Sequence, residues 1–223
     1  GTIRPTQAMS RAEAVVLLDR LAGEVLNKPG KREALNEPGN LMITTTGVEL
    51  DKSKIERDLL LTVGIGEGDA KLSEVSVKGT TYVNGGGVHS IYFDDSQLGD
   101  MEVNKPGSPV RIVFTSTASA GQLKVDSEAI IEAEEGSTIG QVVIGPNAAG
   151  TTITTSGSIG SLTVNAEGVT LNGHPLQLGT SLEIVDGRIK STTPGDTVGT
   201  GNGGNTSGGN SGGNPDGNPG ENS

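Results

Sequence analysis

Four glycines recur down this chain at nearly constant spacing. Gly99, Gly121, Gly140 and Gly160 lie 22, 19 and 20 residues apart, and each sits in a short alternation of apolar and polar residues. The runs are SQLGDMEV at 96–103, TASAGQLKV at 117–125, STIGQVVI at 137–144 and SIGSLTV at 158–164, with a weaker copy, LSEVSV, at 72–77. Each has an upstream partner strand, marked by Ile91 and Phe93, by Val110, Ile112 and Phe114, by Ile130 and Ile131, and by Ile153. Two short strands cannot bury a face alone, but stacked copies can, because each covers the next. The expected fold is therefore all-β: a right-handed parallel β-helix over 46–190, with about 20 residues per coil and equivalent strands about 4.8 Å apart. Six or so coils make a rod on the order of 30 Å long. An antiparallel sandwich also places turns every 8–12 residues or so. It does not require one motif at a fixed period, and that recurrence favours the solenoid.

The composition fits a thin interior. Of 223 residues, 36 are Gly, two are Tyr, two are Phe and none is Trp, while 32% are apolar. A narrow core can be filled by Val, Ile, Leu, Ala and Ser, and its corners call for Gly or Asn in left-handed conformations. The four aromatics are expected to face mostly inward, with Tyr82, Phe93 and Phe114 at comparable positions in successive coils, an arrangement that allows an aromatic ladder. From Ser191 to Ser223 the chain holds 11 Gly, 6 Asn and 3 Pro, which leaves 25 Gly in the first 190 residues. That tail has too little apolar surface to offset the entropy of ordering it and reads as a disordered linker. Further domains after it are expected.

At the other end, Ser10 to Leu26 is the one segment with helical periodicity: Ala14, Val15, Leu18, Leu21, Ala22, Val25 and Leu26 share a face. Ser10 and Glu13 form an S-x-x-E capping box at its start, and Asn27, Pro29 and Gly30 stop it. Residues 28–45 then read as a connector. No apolar run reaches membrane-spanning length, so no membrane span is expected. Nothing before the helix resembles a signal peptide, so the chain is expected to begin within a longer protein or after processing.

Charge and residue types narrow the chemistry. The formal net charge of -11, with no basic cluster, argues against nucleic acid as a partner. With no Cys, disulfides, thiolate zinc sites and Cys nucleophiles are excluded together. The Gly64, Gly66 and Gly68 run lacks the strand-to-helix setting and spacing of a dinucleotide loop and reads as a solenoid turn. Asp94 with Asp95, and Glu132 with Glu134 and Glu135, are the tight acidic groups; adjacent carboxylates in one strand point to opposite faces, so solvated turn residues are the simpler reading than a Ca²⁺ site. A glycosidase-type carboxyl pair has no positive sign here. His89 and His174 are isolated from each other in sequence and read as surface or turn residues. No catalytic residue, metal site or cofactor is expected.

The stretch Gly1 to Ala14, GTIRPTQAMSRAEA, resembles the closing part of a surface-layer homology (SLH) repeat. In that family a G-x-F-x-P turn leads to an Ile-Thr-Arg-Ala-Glu helix start; here Ile3, Met9 and Ser10 replace the Phe, Ile and Thr, while Arg11, Ala12 and Glu13 are kept. The resemblance covers residues 1–27 and implies that Arg11 contributes to binding a pyruvylated secondary polymer of Gram-positive cell walls through a complete SLH region. The glycine-punctuated strands after it are similar to β-helical regions that follow SLH repeats in large secreted bacterial proteins. The resemblance thus implies a non-catalytic, extracellular S-layer-type protein in which the β-helix is a spacer or display rod. A carbohydrate-binding or polysaccharide-cleaving β-helix, recognisable by outward aromatic platforms or carboxylate ladders, and an adhesin pairing through an uncapped strand edge are the alternatives.

Overall fold

In-register pairing of short strands defines the architecture. The computed structural model describes residues 10–13 and 23–192. Within 24–192 the chain climbs through about seven stacked coils of a parallel β-helix with three strand columns. The first column holds Gly30–Glu33, Val48–Asp51, Ala70–Ser73, Ile91–Asp94, Val110–Thr115, Ala129–Ala133, Thr152–Thr155 and Thr170–Leu171. The second begins with Asn36–Glu37, Lys54–Ile55, Ser76–Val77 and Gln97–Leu98, and the third with Glu24–Leu26, Leu41–Ile43, Leu59–Leu61, Thr81–Val83 and Met101–Val103. In the upper coils these two columns fuse into single long strands, Ser119–Val125, Thr138–Ile144 and Ser158–Val164.

The recurrent glycines sit where those two columns join. A Cβ on Gly140 would lie 2.5 Å from the Gly121 carbonyl oxygen, and one on Gly160 would lie 2.5 Å from that of Gly140. Close approach of stacked backbones therefore selects glycine at this corner. Below Gly99 the column continues to Gly79, whose carbonyl oxygen is 2.6 Å from a Cβ built on Gly99. The weaker copy at 72–77 straddles two faces: Leu72 belongs to the first column, and Ser76 and Val77 pair with Gln97 and Leu98. Glycines hold positive φ in the turns that lead back to the first column, among them Gly47, Gly66, Gly86, Gly107, Gly150 and Gly168. A second left-handed corner, at the end of the first-column strands, is filled by non-glycine residues: Ala34, Lys52, Glu74, Asp95 and Ser116, at φ 51°, 49°, 52°, 46° and 57°.

Period-two alternation turns one row of each strand inward. One core column runs Leu50, Leu72, Phe93, Phe114, Ala133 and Thr155. Another runs Leu41, Leu59, Thr81, Met101, Leu123, Val142, Leu162 and Leu182. Just after the left-handed corner a third alternates apolar and hydroxyl side chains. Ser53 Oγ accepts from the Leu35 N–H (3.2 Å), and Ser96 Oγ accepts from the Val75 N–H (3.0 Å). Serine is tolerated in this dry column because it satisfies backbone donors that the ladder leaves over.

The aromatics divide. Phe93 and Phe114 are buried and stack directly, whereas Tyr82 and Tyr92 occupy outward rows of two different faces, so a ladder including Tyr82 does not form. Alternation is the reason: Tyr82 lies between inward Thr81 and Val83, and Tyr92 between Ile91 and Phe93.

Both ends depart from the sequence expectation. Residues 11–13 are helical, 14–22 lie outside the described residues, and Glu24–Leu26 is a strand rather than the end of the helix. Gly23, at φ 70°, turns the chain into that strand, where Leu26 buries over Ile43. The stretch read as a connector, 28–45, contains Gly30–Glu33, Asn36–Glu37 and Leu41–Ile43 and is the first full coil. It was missed because its inward positions include Arg32 and Glu37, stacked on Leu50 and Ile55. These charged side chains erase the alternation. At the far end, Ser181–Val185 pairs antiparallel with Ser158–Val164 and turns through Asp186 and Gly187 (φ 47° and 70°) into Arg188–Thr192. Positive φ at both positions suits a two-residue hairpin turn. Ser191 and Thr192, assigned to the linker on composition, pair with Glu183 and Leu182; the remainder of that linker, 193–223, lies outside the described residues.

Candidate functional site

The outer side of the first column carries the densest polar network among the described residues. Its central row reads Lys31, Glu49, Lys71, Tyr92, Val113, Glu132 and Thr154, one residue per coil. Arg111 reaches across it. Its Nε and Nη2 donate to the two carboxylate oxygens of Glu132 at 2.7 and 2.5 Å, and Nη1 donates to Ser90 Oγ at 2.5 Å and to Tyr92 Oη at 3.3 Å. The guanidinium carbon lies 5.9 Å from the Tyr92 ring centroid, within cation–π range. Val113, although outward, is only 2% exposed beside this cluster. Ser90 is fully buried at φ 101°, a backbone region costly for a non-glycine residue.

The electrostatics follow from these bonds. Donation from Ser90 and then from Arg111 holds the Tyr92 phenol below its ordinary pKa, and Glu132 holds Arg111 in its charged form. The fork-to-carboxylate geometry fixes both partners. Below the cluster, Lys31 pairs with Glu33 and, at 3.0 Å, with Asp51; Lys31, Asp51 and Ser73, with the exposed Glu49 and Lys71, line a shallow polar groove. An aromatic ring beside a polar groove can stack on a sugar face and hydrogen-bond its hydroxyls.

The residues singled out from sequence fall in several places. Ser10 and Glu13 hydrogen-bond reciprocally: the Ser10 N–H donates to Glu13 Oε2 at 2.8 Å and the Glu13 N–H donates to Ser10 Oγ at 3.2 Å. Arg11 is exposed on the same turn. Asp94 accepts from the Thr115 and Ser116 hydroxyls, both at 2.8 Å, and Asp95 accepts from the Thr117 N–H and hydroxyl at 3.0 and 2.8 Å. Each carboxylate thus ties one coil to the next. Glu132 belongs to the Arg111 cluster, while Glu134 and Glu135 are exposed in the following turn. Among the described residues no group of three or more His, Asp or Glu converges as a metal site. Gly64 and Gly66 lie in the turn between Leu59–Leu61 and Ala70–Ser73, closed by a short 3-10 segment, Val63–Ile65. His89 and His174 are exposed and belong to different coils. Among the described helices none is long and apolar enough to cross a membrane.

Sequence reasoning missed the Arg111 cluster because its members are 19 and 21 residues apart. One coil of offset is the signal that could have found it. A similar offset across two coils hid Lys105, 6% exposed, whose Nζ donates to Glu67 Oε1 at 2.8 Å and to Ser108 Oγ at 2.5 Å.

No family model matches the chain, and no curated protein or solved structure was found similar to it. The coils and faces define its class: it is a parallel β-solenoid whose last described strands form an antiparallel hairpin.

Proposed function

We propose that this chain is a non-catalytic structural module of a bacterial cell-surface protein, a stiff spacer that holds neighbouring parts apart. The observation that carries the reading is unbroken register. The third column aligns eight parallel strands from Glu24–Leu26 to Ser158–Val164, seven steps and roughly 35 Å of continuous backbone pairing. Intercoil bonds through Asp94, Asp95, Arg111 and Lys105 stiffen it further. The resemblance of residues 1–27 to the end of an SLH repeat supports an extracellular, wall-bound or S-layer setting, with Arg11 contributing to secondary-polymer binding once the repeat region is complete. Sedimentation with purified cell walls, with and without their secondary polymer, tests this. The protein carrying its complete repeats should co-sediment only with polymer-bearing walls, and Arg11→Ala should weaken that. Failure of the complete protein to sediment refutes anchoring.

Tyr92 favours a second reading, saccharide binding along the first face. It is outward, flanked by Lys71 and by the Arg111 and Glu132 pair. Titration with neutral and acidic polysaccharides, followed by tyrosine fluorescence, separates the two. A response lost in Tyr92→Ala, or any cleavage product, favours the second.

A further inference from the structure

Among the described residues, only the third of the three outward faces carries an apolar central row, and only in its first four coils. The row is Val25, Met42, Leu60 and Tyr82, in register strand by strand. Val25 is 43% exposed and the other three are half-buried. Beyond Tyr82 the same row continues as Glu102, Lys124, Val143 and Thr163, and the lower coils of the first and second faces present Lys31, Glu49 and Lys71, and Asn36, Lys54 and Ser76. Polar columns border the apolar row, with Asn40, Asp58 and Thr80 on one side and Asn27, Thr44 and Thr62 on the other.

We propose that this row is the docking surface for the chain's own amphipathic segment, residues 10–22. Three observations select that occupant. The segment joins the solenoid at Gly23, immediately before the strand that begins the row with Val25. Gly23 makes a sharp turn there, at φ 70°, where a Cβ would lie 1.8 Å from the Asn40 carbonyl oxygen. The dimensions also match. A helix of thirteen residues would span about 20 Å, and four strands span about 14 Å. The segment starts as a capped helix at residues 11–13 and places Ala14, Val15, Leu18, Leu21 and Ala22 at helical spacing. A row one side chain wide and four coils long suits one helix and falls well short of the roughly 800 Å² per partner of a stable protein interface. Docking also explains why an apolar row stops at the fourth coil, where a segment of this length ends. The inference stands independently of wall anchoring.

Hydrogen–deuterium exchange of the full chain tests it. Amides of 14–22 should be protected, and Leu60→Lys or Met42→Lys should raise their exchange at least about tenfold, while the amides of Thr138–Ile144 keep their protection and so report an intact solenoid. Leu18→Lys should produce the same loss, and Val143→Lys, farther along the same face, should not. Unprotected amides in the unsubstituted chain overturn the proposal, as does Val143→Lys acting like Leu60→Lys. A second copy as the occupant also overturns it, and would appear as protection that fades on dilution together with a dimer in sedimentation equilibrium.

Discussion

Phe93 stacks on Phe114 one coil above it, with ring centroids 5.6 Å apart and planes inclined by 29°. Both are fully buried, and the column that holds them continues to Ala133 and Thr155. Two large rings at the middle of a thin core leave no bulky neighbour able to fill the space if one is removed. Phe114→Ala should therefore cost about 3–5 kcal/mol, and Phe114→Leu about 1–2 kcal/mol. Urea unfolding measures both, and equal costs for the two would show that the site collapses around a cavity.

Thr81 sits in a core column between Leu59 and Met101, fully buried, and its Oγ1 has no hydrogen-bond partner. Valine has nearly the same shape and removes the unsatisfied hydroxyl. Thr81→Val should raise stability by about 1 kcal/mol, seen as a higher urea midpoint with an unchanged slope. A lower midpoint would place a water or other unseen partner at Oγ1.

The two corners should respond to glycine in opposite senses. Gly140 stacks too closely on Gly121 for a Cβ, so Gly140→Ala should destabilise by about 2 kcal/mol or more. Glu74 is exposed in the left-handed region, and Glu74→Gly relieves that conformation at the cost of some chain entropy and a 3.8 Å contact with Lys52. A net gain of up to about 1 kcal/mol is expected. Thermal unfolding of the two variants, made separately, distinguishes a corner ruled by close approach from one ruled by φ.

Three carboxylates tie stability to pH. The Thr117 hydroxyl and then its N–H lower the pKa of Asp95; Lys105 and then Ser108 lower that of Glu67; the Ser10 N–H and then its hydroxyl lower that of Glu13. A folded-state value below the unfolded one means that the unfolded chain binds more protons as pH falls. The contribution is complete above the ordinary carboxylate range, about pH 4, and is lost as pH drops through the lowered values. The urea midpoint should thus fall below about pH 4, and Asp95→Asn, which also suits a left-handed backbone, should lessen the fall. An unchanged acid slope in that variant would remove Asp95 from the linkage.

Much of the upper solenoid was legible because its chemistry is local. Gly99, Gly121, Gly140 and Gly160 mark one corner, and the inward residues of 119–125, 138–144 and 158–164 alternate cleanly because every second side chain is buried. The first coil was not legible, since Arg32 and Glu37 occupy core-facing positions and break the pattern of alternation. Gly47, Gly86 and Gly168 hold positive φ as expected of corners, but the corner after the first-column strands was not legible. Ala34, Lys52 and Glu74 carry no turn signature, and stacking on the next coil holds them there.

The candidate site follows the same division. That Arg111, Tyr92 and Glu132 exist, and that strand residues alternate, is sequence information; that one guanidinium meets a ring and a carboxylate depends on which coil lies over which. Tyr82 and Phe93 look alike in composition, yet a shift of one position along a strand turns one outward and buries the other.

Sequence alone determined the repeat, its period of about twenty residues and the thin glycine-cornered solenoid, because a coil can bury itself only against its own kind. The tertiary structure decided the pairings between coils, the outward apolar row and the antiparallel hairpin after the last parallel coil. Those depend on register, and register is settled only when neighbouring strands bury a common core.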